Sequence, residues 1–236
     1  MITCVDGVGA FDHVLRSRMF AELLAHPVLQ VLVPHVRLWC GSKSKYIWTD
    51  ANGHPHEVEQ GEGGEQGDPL MPALFCLAVQ SALTAAQGEL LEAAAVFAYL
   101  DELYLLTTPD RCAEVLSIIS WHLQEKCGIS VNQGKLQSWC PRGGPSPAGL
   151  LPFSTPEHTV WRSDLPAEDN GVVVVGTPIG HDSFVSKVAE EKGCEQDSSW
   201  SKSAPFRFRR RRGSSCCSAR SPGLTICCAP SRQARL

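Results

Sequence analysis

The sequence predicts an α+β fold, in which a small antiparallel sheet carries helices packed on one face. Short apolar runs of strand length recur along the chain, and stretches with helical spacing separate them. A hydrophobic content of 43% with a charged content of 19% fits a globular protein with a core. The length of 236 residues allows one large domain or two small ones.

Local patterns before residue 61 predict a strand at 2–5, a helix at 13–25, a helical stretch at 28–39 and a hairpin at 45–60. Pro27 ends the first helix, and Pro34 interrupts the second. The hairpin is centred on Asn52 and Gly53, a strong turn signal. The first half of the chain therefore mixes helices and strands.

Later patterns predict a helix at 70–87, two strands within 96–106, a helix at 109–126 and a strand at 129–131. They also predict a buried strand at 171–180 that ends in a glycine and proline turn. Asp68 stands as the N-cap of the first of these helices, with Pro69 at its first helical position. Gly128 closes the second helix. The two strands within 96–106 meet at Asp101 and Glu102.

The charge of the chain is distributed unevenly. Residues 1–202 hold 13 basic and 25 acidic residues, a net charge of −12, whereas residues 203–236 hold eight arginines and no acid. We therefore expect a folded body at residues 1–187 and a basic, Ser/Arg/Cys-rich, disordered tail at residues 188–236. The abrupt change in composition is also typical of a frameshifted sequence.

Cysteine usage and the N-terminus indicate the compartment. The eleven cysteines are odd in number and include no Cys-x-x-Cys pair, as in a reduced intracellular protein of the nucleus or cytoplasm. Asp6 interrupts the apolar run that a signal peptide needs, and no apolar segment reaches the ~18 residues of a membrane span. We expect a soluble protein that is not secreted and has no membrane partner.

Four segments place polar residues where chemistry could occur: VDGVGAFDHV with Asp6 and Phe11, GEGGEQGDPL with Gln66 and Gly67, YLDELYLL with Asp101 and Glu102, and NQGKLQSW with Lys135. Taken singly, each has a plain interpretation. A strand-end aspartate is often a cap or turn residue, a carboxylate pair a solvated hairpin tip, and a lone lysine a surface charge. A glycine-rich loop before a helix either connects two elements or lays backbone amides against phosphate.

Together and in this order, the four segments resemble the palm domain of reverse transcriptases, most closely those of non-LTR retrotransposons. The resemblance runs from residue 1 to about residue 187 and includes VVVVGTPIG, which is similar to the turn that closes the palm. It implies a polymerase palm with partial fingers. It also implies an RNA-directed DNA polymerase that extends a DNA primer on an RNA template from dNTPs, with no obligate protein partner.

The resemblance assigns the metal chemistry to three carboxylates. Asp6 would bridge two Mg²⁺ ions, for which Mn²⁺ could substitute, and Asp101 would join it. Glu102 stands where the family usually has aspartate, and its extra methylene would move the carboxylate by ~1.5 Å. A misplacement of about an ångström at a catalytic site can lower the rate by on the order of a hundredfold.

The resemblance also assigns the contacts to the substrate. Phe11 stands where an aromatic ring packs beneath the sugar and excludes a 2′-hydroxyl, and Gln66 and Gly67 would face the nucleotide and template. Lys135 would protonate the pyrophosphate leaving group as a general acid. It is followed by Leu136 instead of the family's usual threonine.

The family places its fingers ahead of the strand at which this chain begins, and little sequence follows residue 187 that could form a thumb. We therefore expect a truncated polymerase domain that is impaired or inactive as an isolated chain. The alternative is a non-enzymatic retroelement remnant that binds nucleic acid through its basic tail.

Overall fold

The computed structural model describes residues 1–65, 67–90, 94–155, 157–202, 218–221 and 224–227, with side chains up to residue 193. The chain divides into two compact units, Met1–Val185 and Ser186–Leu236. No helix in the described part of the chain is long and apolar enough to cross a membrane.

The described part of the first unit is built on a four-stranded antiparallel sheet and two separate hairpins. Its strands are β1 (Ile2–Asp6), β2 (Ser44–Thr49), β3 (Pro55–Gln60), β4 (Ala95–Tyr99), β5 (Glu102–Leu106), β6 (Gln137–Trp139), β7 (Gly171–Val174) and β8 (Thr177–Gly180). The main sheet has the order β4-β5-β1-β6. The β2–β3 and β7–β8 pairs form separate two-stranded sheets.

The helices are α1 (Ala10–His13), α2 (Arg16–Ala25), α3 (Val33–Cys40), α4 (Met71–Leu90), α5 (Cys112–Cys127) and α6 (Asp182–Lys202). Short 3₁₀ helices lie at Pro27–Leu32, Pro109–Arg111, Gln133–Lys135 and Ala148–Phe153. Gly128 adopts φ +73° after α5, the left-handed conformation with which helices often end, as the sequence predicted.

The core lies between the main sheet and helices α4 and α5. Because side chains alternate along a strand, Val5, Leu103 and Leu105 point to one face of the sheet, where they join the buried side chains of both helices. The β7–β8 hairpin contacts the other face of the sheet, where the Cys4 thiol lies 3.9 Å from the Val173 carbonyl oxygen. The predicted α+β class, with helices on one face of a small antiparallel sheet, is confirmed.

Two predicted strands differ from the structure. The run at 171–180 forms a hairpin instead of one strand, because Val175 and Gly176 take positive φ angles of +46° and +74° and reverse the chain. The sequence predicted a glycine and proline turn at the end of this run, whereas the reversal lies in its middle. Of the strand predicted at 129–131, only Val131 forms an isolated bridge, to Gly7, and the edge strand is β6.

The second unit contains most of α6 and a hairpin of β9 (Ser218–Ser221) and β10 (Leu224–Cys227). Helix α6 continues past residue 188, where the sequence predicts the tail to begin. The rest of the tail predicted to be disordered, residues 203–217, 222–223 and 228–236, lies outside the described residues.

Candidate functional site

The register of the main sheet brings two carboxylates together. Asp6, the last residue of β1, is the direct partner of Glu102, the first residue of β5. Directly paired residues of antiparallel strands project to the same face, with Cβ atoms ~4.5–5.5 Å apart. Like charges in this position destabilise a sheet unless a cation lies nearby.

A cation is supplied by Lys135. Its Nζ donates a hydrogen bond of 2.7 Å to Asp6 Oδ2. This ion pair raises the pKa of Lys135, with a smaller contribution from the charge of Asp101. The lysine side chain is 66% exposed, so the pair lies where solvent and ions have access.

The backbone explains how Lys135 reaches a residue so distant in sequence. The Asn132 amide donates to the Asp6 carbonyl oxygen at 2.8 Å. The Asn132 side chain then accepts from the Gly134 amide at 3.1 Å and caps the short 3₁₀ helix that ends in Lys135. Strand β6 follows at once and pairs with β1.

Asp6, Glu102 and Lys135 line an open cleft of about 320 Å³ on the face of the sheet opposite the helices. The described lining side chains with titratable groups are Cys4, Asp6, Glu102, Tyr104, Lys135 and His158. Burial, and next the charge of Glu102, raise the pKa of the Cys4 thiol to about 12, so it stays protonated at neutral pH. His158 is occupied in a 2.8 Å hydrogen bond between its Nε2 and the Leu136 carbonyl oxygen.

Glu102 has a neutral partner in Tyr104, two residues further along β5 on the same face. The Tyr104 hydroxyl donates to Glu102 Oε2 at 2.5 Å and accepts from the Val175 amide at 2.7 Å. Burial and the hydrogen bond to Glu102 raise the pKa of Tyr104 to about 12. The hydroxyl is therefore a proton donor to the carboxylate at neutral pH.

Asp101 lies in the β4–β5 turn beside Leu100, whose φ of +55° is rare for a residue other than glycine. It lines a second cavity, of about 530 Å³, together with Phe11, Gly67 and Met71. The sequence placed both carboxylates at the hairpin tip. The structure keeps only Asp101 in the turn, and Glu102 begins the strand.

Phe11 is fixed in this second cavity by stacking. The centroid of its ring lies 4.4 Å from the centroid of the Phe75 ring on α4, with an angle of 20° between the ring planes. The loop before α4 is also held to α1, because the Gly64 amide donates to the Phe11 carbonyl oxygen at 3.1 Å. Gly63 has a φ of +66°, and a Cβ there would lie 2.3 Å from the Asp12 carbonyl oxygen, so the approach requires glycine.

Arg16 holds the same loop from the other side. Its guanidinium donates to the carbonyl oxygens of Gly63 at 2.8 Å and Ser42 at 2.6 Å, and to the Ser44 hydroxyl at 3.2 Å. The Arg16 backbone amide donates to Glu62 Oε2 at 2.7 Å. One buried arginine therefore ties the start of α2 to the β2–β3 hairpin and to the glycine-rich loop.

Of the two loop residues predicted to face substrate, Gln66 lies outside the described residues. Gly67 is exposed and takes a φ of +100°. The predicted N-cap, Asp68, accepts from the Leu70 amide at 2.8 Å, but α4 begins at Met71. The carboxylate therefore caps the turn that leads into the helix.

The carboxylates suit a hard divalent cation in donor type, since Mg²⁺ binds carboxylate oxygens and retains several waters. Asp6 and Glu102 share one face, and Lys135 stands where a cation would relieve their repulsion. Among the described residues, no group of three or more His, Cys, Asp or Glu side chains could hold a metal ion. The pair of Asp6 and Glu102, completed by water or a ligand, is the arrangement that fits.

No protein-family model matches the chain, and no curated protein matches it. Among solved structures, the chain is similar to an apo telomerase from Candida tropicalis truncated from its C-terminal domain, at 14% sequence identity and a TM-score of 0.48. The match covers 77% of this chain and 34% of the telomerase chain. The chain thus spans about a third of the length of that telomerase.

Sequence reasoning missed Arg16, Tyr104 and the carbonyl-bound His158. Strand alternation could have placed Tyr104 on the same face as Glu102, because they are two positions apart on one strand. No local pattern identifies Arg16, whose partners lie between 26 and 47 residues further along the chain.

Proposed function

We propose that this chain is a palm domain of a reverse transcriptase of the non-LTR retrotransposon type, the class of enzyme that transfers a nucleotide from a dNTP to the 3′-hydroxyl of a DNA primer on an RNA template. The observation that carries the proposal is the pairing of Asp6 with Glu102, with Lys135 hydrogen-bonded to Asp6. Three of the four segments of the resemblance contribute to that single cleft, although up to 129 residues separate their members.

Asp6 and Glu102 would hold a divalent cation, and Asp101 at the adjacent turn is assigned to the same metal chemistry by the resemblance alone. Two Mg²⁺ ions, when bound, supply charge stabilisation for the attacking and leaving oxygens of phosphoryl-type transfer. Mn²⁺ is the substitute. Rigid strands position Asp6 and Glu102, and such rigidity is what precise placement of reacting groups requires.

Lys135 would have two roles. With an empty cation site it neutralises Asp6, and its raised pKa keeps it protonated. With nucleotide bound, the same ammonium group could donate its proton to the pyrophosphate oxygen that leaves. Its exposed position allows the side chain to move between these partners.

Phe11 and Gly67 would form the nucleotide pocket around Asp101. The cavity that these residues line, about 530 Å³, has the size of a small-ligand site. The stacked Phe75 restricts the Phe11 ring, so it could act as a fixed wall against a 2′-hydroxyl. Gln66 is assigned to the same pocket by the resemblance alone.

The proposal is tested first by Mn²⁺ binding to the full chain, followed by electron paramagnetic resonance. We expect Asp6→Asn to lower the affinity by about tenfold or more, since it removes a charged ligand without changing shape. The matched control is Glu125→Gln, an exposed carboxylate of α5 that lines neither cavity. An equal affinity in Asp6→Asn and the parent would contradict the cation site.

The second measurement is primer extension on poly(rA)/oligo(dT) with dTTP and Mg²⁺ or Mn²⁺. Incorporation that disappears in Asp101→Ala and persists in Glu125→Gln would support the polymerase assignment. Binding of RNA that weakens with salt and is indifferent to Mn²⁺ and to Asp6→Asn would favour the remnant that binds through its tail.

A further inference from the structure

Three groups form a continuous hydrogen-bonded chain from the β7–β8 turn to the candidate site. The Val175 amide, the Tyr104 hydroxyl and Glu102 Oε2 are joined by contacts of 2.7 and 2.5 Å. Tyr104 is only 7% exposed, whereas its partner Glu102 is exposed at the edge of the cleft. These hydrogen bonds link strand β5 of the main sheet to the β7–β8 hairpin, which forms a separate sheet.

The direction of the hydrogen bonds is fixed by chemistry. A backbone amide can only donate, so the Tyr104 oxygen must accept from Val175. The hydroxyl has a single proton, which is then directed at the carboxylate of Glu102. Donation by Val175 polarises the hydroxyl and strengthens the second bond.

The conformation of Val175 indicates that the turn is held in place by its surroundings. A φ of +46° is an outlier for a β-branched residue. Such conformations are strained and persist only where neighbouring structure determines them. The hydrogen bond to Tyr104 is one contact that holds this amide.

The length of Glu102 is what allows the contact. Residues 102 and 104 are successive positions on one face of β5, about 6.6 Å apart along the strand. An aspartate would be shorter by a methylene, ~1.5 Å, and its carboxylate would fall short of the hydroxyl. The glutamate that departs from the family pattern is thus matched to a tyrosine that can bind it.

We propose that Tyr104 is a positioning residue, which holds the Glu102 carboxylate beside Asp6 and is itself held by the β7–β8 turn. The inference rests on the proposed function in that Glu102 is taken as a cation ligand. It adds that the hairpin and the site are coupled through one hydroxyl, so a change in the turn is transmitted to the ligand.

A metal-independent measurement follows the Val175 amide by nuclear magnetic resonance in the full chain. Tyr104→Phe removes the acceptor, and we expect hydrogen exchange of this amide to accelerate about five- to tenfold, the range for one lost hydrogen bond. Glu102→Gln removes the charge that Tyr104 binds, and should shift the Val175 resonance in the parent but not in Tyr104→Phe. The inference would be overturned if hydrogen exchange of the Val175 amide were unchanged in Tyr104→Phe. It would also be overturned if Glu102→Gln still shifted the Val175 resonance in the Tyr104→Phe background.

The matched control is Tyr46→Phe, because the Tyr46 hydroxyl also donates to a side chain, Gln60 Oε1 at 3.0 Å, on the separate β2–β3 hairpin. This variant should leave the Val175 amide unchanged. A similar response to both variants would indicate a general loosening of the fold and would overturn the specific role of Tyr104.

The consequence for the site is measured as Mn²⁺ affinity in a double-mutant cycle. Tyr104→Phe should weaken binding about three- to tenfold in the parent and less than about 1.5-fold in Glu102→Asp, where the contact cannot form. Equal losses in both backgrounds would overturn the positioning role. If no variant or parent binds Mn²⁺ while the Val175 amide responds as expected, the proposed function fails and the link from Val175 to Glu102 stands.

Discussion

At the scale of residues, the cleft brings two carboxylates together, and each of them has a different hydrogen-bond partner. Asp6 is neutralised by the ammonium group of Lys135, whereas Glu102 is held by the neutral hydroxyl of Tyr104. The first partner is exposed, and the second is buried. In the proposed site, Lys135 would therefore compete with a cation for Asp6.

Lys135→Gln should raise the affinity of the chain for Mn²⁺ by about two- to fivefold, because the ammonium group no longer competes with the cation for Asp6 Oδ2. Electron paramagnetic resonance of free Mn²⁺ measures the change. Lys45→Gln serves as the control, since Lys45 forms a comparable exposed ion pair with Glu57 at 2.5 Å on the β2–β3 hairpin. An affinity that stays the same or falls in Lys135→Gln would show that the lysine does not compete.

At the scale of elements, the glycine-rich loop depends on contacts from outside itself. Backbone hydrogen bonds tie it to α1, and the buried guanidinium of Arg16 ties it to the start of the β2–β3 hairpin. The loop that precedes α4 is therefore positioned from two sides, although its composition alone suggests a free connection. Gly63 permits the close approach.

Arg16→Met should destabilise the fold by about 2–4 kcal/mol, because the carbonyl oxygens of Gly63 and Ser42 lose their donor in a buried position. The loss of stability in Arg16→Lys should lie between those of the parent and Arg16→Met, since an ammonium group cannot reproduce the forked donor geometry of a guanidinium. Urea unfolding gives the free energies, and proteolysis should become faster at residues 61–65. The exposed Arg142→Met is the control and should change stability by less than about 0.5 kcal/mol. A similar loss in both variants would refute the role of Arg16 in the loop.

At the scale of the whole molecule, stability comes from the layer between the sheet and helices α4 and α5. The core includes side chains of both helices that are almost wholly inaccessible, such as Ala82 and Ile119. The opposite face of the sheet instead carries the polar cleft. One face therefore carries the packed core, and the other carries the candidate site.

Leu116→Ala in α5 should lower the free energy of unfolding by about 2–5 kcal/mol, the range for a large side chain removed from a packed core. Leu116 is 1% exposed, whereas Leu151 is 58% exposed and offers the same substitution outside the core. Leu151→Ala should cost less than about 0.5 kcal/mol. Comparable urea midpoints for the two variants would mean that this layer does not dominate stability.

Binding of a divalent cation should also stabilise the molecule as a whole. A ligand that binds only the folded state at 100 times its dissociation constant adds about 2.7 kcal/mol, so Tm should rise with Mn²⁺ and return to its original value with EDTA. Asp6→Asn should abolish most of the increase, and Glu125→Gln should retain it. An increase of equal size in Asp6→Asn would place the cation elsewhere on the chain.

The sequence by itself determined the fold class and most of the helices. Alternating and helical hydrophobic patterns are local, so they identify β1, α4 and α5 without knowledge of the partners. The prediction that helix α5 closes at Gly128 was confirmed, because a left-handed cap is a property of the residue itself. The glycine and proline turn of 171–180 was predicted at the end of the run, but it lies in the middle, because the apolar residues on both sides of it form two paired strands.

Only the tertiary structure decided which functional candidates meet. The motifs named Asp6, Asp101, Glu102 and Lys135, but strand register is set by long-range pairing, and it placed Glu102 opposite Asp6 and left Asp101 in the turn. The contact of Lys135 with Asp6 spans 129 positions, and that of Val175 with Tyr104 spans 71. Such contacts depend on how separate elements pack, and no local propensity encodes them.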